Sequence, residues 1–192
     1  MRLTVITPST DEIISLEEAK AHLNVTTAAD DALILRLIAT AVAKLDGPKG
    51  LLGRSLAPTQ YRMTLDAFTR VIQVPLPPVR SVEAVTYTDA DGTTVTIAAS
   101  AYRVTGLDDD TPAEISLPGA SRWPPTPRAP EAVQILFTAG YGTIPIPLAS
   151  AILMHVAHLY ENREASLVGV SAQVLPMGYD DLVEPYKMWG CG

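Results

Sequence analysis

The hydrophobic period of this chain changes twice. From Ser15 onward apolar residues recur at helical spacing, from about Thr59 they alternate, and after Gly142 the helical spacing returns. A helix gathers residues i, i+3 and i+4 on one face, whereas a strand gathers i and i+2. A segment patterned for one period leaves its apolar face split when folded as the other. The chain is therefore expected to be α+β, a small bundle of about four helices with a β-rich insertion between the second and third main helices. On this reading residues 1–58 hold the N-terminal helices, 59–143 the insertion, and 144–192 the C-terminal helices.

The first helix is "SLEEAKAHL", with Ser15 and Glu18 at capping-box spacing and Leu16, Ala19 and Leu23 on one face. The second lies in "TTAADDALILRLIATAVAKLDG". Asp30 or Asp31 suits its first turn, and Ile34, Leu37, Ile38, Ala41, Val42 and Leu45 form its buried stripe. Leu33 and Leu35 widen that stripe beyond one contact. Gly47-Pro48 stops the helix.

"QYRMTLD", the two halves of "SVEAVTYTDADGTTVTI", "AYRVT", "AEISL" and "AVQILFTAG" are the strand candidates. Proline keeps "PLPPV" and "RWPPTPRAP" out of central strands. "PLASAILMHVAHLYENRE" is the third helix, with Pro147 in its first turn and Ala151, Ile152, Val156, Leu159 and Tyr160 on its apolar face. A short terminal helix in "YDDLVEPYKMW" ends near Pro185.

Composition excludes several classes. An apolar share of 47% supports a folded core, and 6% aromatics make that core aliphatic. A net charge of −7 argues against a general nucleic-acid binder, which needs clustered Lys and Arg to displace counterions. The one cysteine, Cys191, permits no internal disulfide and no Cys-rich metal site. "MRLTVITPSTDE" has no long apolar core, so a signal peptide is not expected. The longest apolar run, "IPIPLASAILMHVAHLY", is too short and too polar for a membrane span.

Local motifs give little chemistry. "FTAGYG" (137–142) lacks the Lys-Ser/Thr pair of a phosphate loop and the third glycine of a dinucleotide fingerprint. It reads as a strand end and a turn leading to a helix. His155, His158 and Glu161 recur every third residue, a face that offers two imidazoles and a carboxylate to a metal. The plainer reading is two histidines at the edge of a packing surface. Asp89, Asp91 and Asp108–Asp110 lack calcium-loop spacing and read as solvated turns. No Gly-x-Ser-x-Gly elbow occurs. The expectation is a chain with no catalytic residues, no cofactor and no metal.

The order of the pieces says more. "SLEEAKAHLNV", "DDALILRLIATA", "LLGRSL", "YRMTLD", "PLPPVRSVEAVTYTDADGT", "YRV", "ILFTAGYG", "IPLASAILMHVAHLYENRE" and "PY" form one series. This series resembles the head–tail connector (adaptor) family of tailed DNA phages and phage-derived gene transfer agents, over about Ser15 to Tyr186. The most specific pieces are "PLPPV.SV", "FTAGYG" and "LYENRE" in that order. At "LDGPKGLLG" the chain departs from the family pattern, in which the second helix continues toward "GR.L".

The resemblance implies a structural protein, not an enzyme. It implies a ring, twelve copies by family analogy, that sits beneath the portal protein after DNA packaging and receives the stopper or tail-completion protein. DNA would pass without sequence-specific binding and no membrane would be involved. The place would be the head–tail junction of a virion or phage-like particle, with host cytoplasm before assembly. Alternatives are a head-closure or tail-completion protein and, from another class, a metal-dependent hydrolase using His155, His158 and Glu161. For the C-terminal helix the expectation is a loosely held segment that docks into the portal through Tyr179, Leu182, Val183, Tyr186, Met188 and Trp189. The competing reading packs it back onto its own bundle.

Overall fold

The computed structural model describes residues 1–127, 129–162 and 177–188. Among the described residues there are four α-helices and two antiparallel sheets, a mixed α+β class. The chain divides into a β unit (Met1–Asp11 with Ala57–Gly142) and a helical unit (Glu12–Leu56 with Thr143–Gly192).

In the β unit, five strands form one sheet: β1 (Arg2–Thr7), β2 (Thr59–Leu65), β8 (Val133–Ala139), β4 (Val79–Thr88) and β5 (Thr94–Ile97), in that spatial order. A second sheet holds β3 (Val71–Val74), β7 (Ala113–Ser116) and β6 (Arg103–Thr105). The alternation read in the sequence sets the register. Tyr61 and Met63 of β2 stand opposite Phe137 and Ile135 of β8, and all four are buried. The rings of Tyr61 and Phe137 stack with centroids 5.6 Å apart. Val85, Ile72, Val74 and Ile115 belong to the same core. Burial of each such side chain stabilises by about 1.5–3 kcal/mol.

Two strands were not among the sequence candidates. β1 lies in a stretch the periodicity gives to the helices, yet it pairs antiparallel with β2. Five of its six residues are exposed, so as an edge strand it shows no buried alternation. β3 has only four residues, too few to display a period against its proline-rich flank.

The helical unit holds α1 (Leu16–Leu23), α2 (Asp31–Leu45), α3 (Ile146–Glu161) and α4 (Met177–Val183). Ser15 caps α1, its Oγ accepting from the Glu18 N–H at 3.1 Å, and Asn24 closes it in the left-handed conformation. Asp30 occupies the cap position of α2 but makes no capping bond. Its carboxylate accepts instead from the Tyr160 hydroxyl, and Asp31 pairs with Lys20 at 2.6 Å. The acidic pair that suits a helix start is thus used to fasten α2 to α3 and α1. Ile34, Ile38, Ala41 and Leu45 of α2 are buried with Leu148, Ala151, Ile152 and Val156 of α3. Leu37 and Val42 are half-buried, and Leu35 is 49% exposed.

Candidate partner-binding segment

After α2 the chain turns at Gly47 and folds back. The Asp46 Oδ1 accepts from the Leu56 N–H at 2.7 Å, and burial pushes the Asp46 carboxyl above its ordinary value. This loop carries Leu52, Leu56 and Arg54, all buried. Arg54 Nε donates to the Tyr186 carbonyl at 2.6 Å, and the Leu52 carbonyl accepts from the Met188 N–H at 3.0 Å. The "LLGRSL" stretch therefore binds the C-terminal segment of its own chain. A lone arginine among apolar residues was the sequence signal for it, since a buried guanidinium must find acceptors.

A helix of seven residues is marginal alone, so α4 is held by contacts. Tyr179 and Val183, four apart and on one face, are 1% and 0% exposed. The Tyr179 ring meets His155 edge to face with centroids 5.8 Å apart, and Lys44 Nζ stands over the Tyr179 ring, 5.6 Å from its centre. The expectation of a loosely held helix gives way to one packed on its own unit, because these two side chains have a core to enter.

The six expected partner-binding residues therefore divide. Tyr179 and Val183 are core. Leu182, Tyr186 and Met188 are half-buried at the rim of the segment. Trp189 lies outside the described residues. Asp180, Asp181 and Glu184 are exposed beside them, and Glu184 pairs with Lys187 at 2.5 Å.

The histidine triplet does not form a metal centre. His155 is buried, and its Nδ1 has no hydrogen-bond partner among the described residues. Burial first, then the Lys44 and His158 charges, lower its pKa to about 4, so it is neutral at pH 7. His158 faces Asn162, whose amide lies 3.4 Å from its Nδ1, and Glu161 is exposed. No group of three His, Cys, Asp or Glu side chains converges on a metal position among the described residues. The acidic turns use their carboxylates locally: Asp89 Oδ1 accepts from the Asp91 and Thr93 N–H groups, and Asp109 Oδ1 from that of Asp110.

"FTAGYG" ends β8 at Ala139 and leads toward α3, where Pro147 stands in the first turn. Gly140 has φ +128°, and a Cβ there would collide with the Ala57 backbone. Its N–H bonds the Pro78 carbonyl at 2.9 Å. The glycine serves close backbone packing, not a ligand.

No described helix is long and apolar enough to cross a membrane. No curated protein matches the sequence. The model of the phage gp6-like head–tail connector protein family matches residues 13–102. Among solved structures, a chain in the neck of an empty GTA particle computed with C6 symmetry is 28% identical, with a TM-score of 0.74. A chain in the virion of a native gene transfer agent particle is also 28% identical, with a TM-score of 0.73. A chain in the neck of a native GTA particle computed with C12 symmetry gives 26% and 0.69. Each similarity covers 97% of this chain and 95% of the other. Sequence order and these likenesses agree: over most of its length the chain is similar to head–tail connector proteins.

Proposed function

We propose that this protein is a structural adaptor at the head–tail junction of a phage-like particle, forming a ring of twelve copies on the portal. The observation that carries the reading is the likeness over 97% of the chain to subunits of gene transfer agent necks. The family is a structural one and not a class of enzymes. A closed ring is a head-to-tail assembly, so each subunit needs two unlike surfaces for its neighbours and others for the rings above and below. A net charge of −7 suits a subunit beside a DNA channel, since like charge lets phosphate pass without adhering.

Within this reading the C-terminal segment faces the portal. Tyr179 and Val183 fix it to the bundle, while Leu182, Tyr186, Met188 and Trp189 supply the contact. The stopper or tail-completion protein takes another face. The larger part of the β unit, 57–142, is a module inserted between α2 and α3, with β1 added from the N-terminus, and the pairing of Thr59 with Ala139 supports this by bringing the ends of the insertion together.

Mixing the purified protein with its cognate portal and imaging the complex tests the function. A twelve-fold ring on the portal is expected; no association, or another symmetry, contradicts it. Replacing Tyr186, Met188 and Trp189 by Ala should weaken portal loading while leaving the melting temperature within a few degrees. Unaltered loading would remove the C-terminal segment from the portal interface.

A further inference from the structure

The three-stranded sheet of the β unit differs sharply at its two ends. At one end, residues 67–71 and 116–126 enclose a cleft of about 560 Å³. Phe68 and Trp123 stack in its wall with centroids 4.7 Å apart and planes 4° apart. Arg70 and Arg122 also line it. Both arginines are exposed, and neither makes a hydrogen bond or ion pair among the described residues. The indole N–H of Trp123 is buried and has no partner there either. An aromatic wall, two unpaired guanidiniums and a spare donor suit a segment with an apolar residue beside carboxylates.

Such a segment stands at the other end of the same sheet. The β6–β7 turn reads "GLDDDTP" over 106–112. Leu107 is 40% exposed, and Asp108 and Asp109 are exposed. Asp108 has φ +55°. Strand β7 joins the two places: Ala113 follows the acidic turn, and Ser116 lines the cleft. Four residues of strand separate them, roughly 13 Å. The cleft of a subunit and its own acidic turn thus stand at opposite ends of β7.

We propose that the cleft of each subunit receives the Leu107–Asp109 turn of the neighbouring copy, so that this sheet carries both halves of the head-to-tail contact within the ring. Leu107 of the neighbour packs against Phe68 and Trp123, and its Asp108 and Asp109 pair with Arg70 and Arg122. The charge pattern answers a need of the assembly. Copies that each carry −7 repel, and a local pairing of opposite sign sets both the approach and the register. Unlike surfaces on one subunit are what a closing ring uses.

This inference rests on the ring reading above, and the test separates the two. Arg70→Glu with Arg122→Glu, and separately Asp108→Arg with Asp109→Arg, are loaded onto the cognate portal beside the unaltered protein. Each pair alone should weaken ring formation by at least about tenfold, with melting unchanged. All four changes together restore opposite charge at every contact and should recover most of the loading. A second readout is a crosslink. Arg122→Cys with Asp109→Cys in a Cys191→Ser background should give a ladder of disulfide-linked subunits on the portal. Normal loading by both charge-reversed pairs, or no ladder in a formed ring, overturns the contact and leaves the adaptor reading standing. Failure of the unaltered protein to form a ring overturns both. Loss of binding to a short DNA duplex on reversal of the arginines, with loading unaffected, would assign the cleft to phosphate and overturn the proposal.

Discussion

Lys44 Nζ lies 5.6 Å from the centre of the Tyr179 ring, tying the last turn of α2 to the C-terminal helix. The ammonium gains from the ring quadrupole, and the aromatic body of Tyr179 is 1% exposed. The Tyr179 hydroxyl is buried without a partner among the described residues, and burial, then Asp180, raises its pKa. Ring and hydroxyl therefore contribute with opposite sign to the stability of the helical unit.

Tyr179→Ala should destabilise by about 3–5 kcal/mol, the range for truncating a buried aromatic. Tyr179→Phe should leave stability within about 1 kcal/mol or raise it, because it removes an unpaired polar atom. Denaturant unfolding of the two variants reads the difference. A mild Ala variant would mean that α4 is not held by this contact.

His155 predicts an acid dependence. Its folded pKa, about 4, lies below its ordinary value of 6.5 because burial opposes the charged form. The unfolded chain therefore binds the proton first. The stabilising effect of a neutral His155 is complete above pH 6.5 and is lost as pH falls from there toward 4. His155→Leu should flatten the loss of stability over that window relative to the unaltered protein. Identical pH profiles between pH 7 and 4 would contradict the assignment.

The two glycines of "FTAGYG" should respond unequally. Gly140→Ala forces a side chain into positive φ and against the Ala57 backbone, so a loss of at least about 2 kcal/mol is expected. At Gly142 the nearest atom to a Cβ is the Arg80 guanidinium, 3.3 Å away, the end of a flexible side chain. Gly142→Ala should cost less than about 1 kcal/mol. Thermal melting of both variants checks the order, and equal losses would refute it.

The inserted-module reading predicts a separable helical unit. β1 pairs with β2, so a clean excision must remove residues 1–11 along with 57–142, the latter replaced by a short Gly/Ser linker. The remnant should show helical circular dichroism and a cooperative melt. A fully unfolded product would mean that the strands are needed by the helical core.

The sequence by itself determined the class and most elements, because periodicity is a local signal. Ile34, Ile38, Ala41 and Leu45 mark their helix face without reference to any partner, and Tyr61 and Met63 mark their strand face likewise. Ser15 could be read as a cap for the same reason, since its bond reaches only to Glu18. The ordered series of motifs also carried the resemblance to head–tail connectors. Tertiary structure decided what depends on residues far apart in the chain. Asp30 and Asp31 suited a helix start by local rules, but Tyr160 and Lys20 offered stronger use of their carboxylates. β1 exists because β2 gives it an edge to pair with, more than fifty residues away. Arg54 and Tyr179 turned an apparently free tail into a packed segment, and the fold set the Arg70–Arg122 cleft at the far end of a strand from Asp108 and Asp109. Local pattern reports what a segment would bury; which partner covers it is a property of the assembled core.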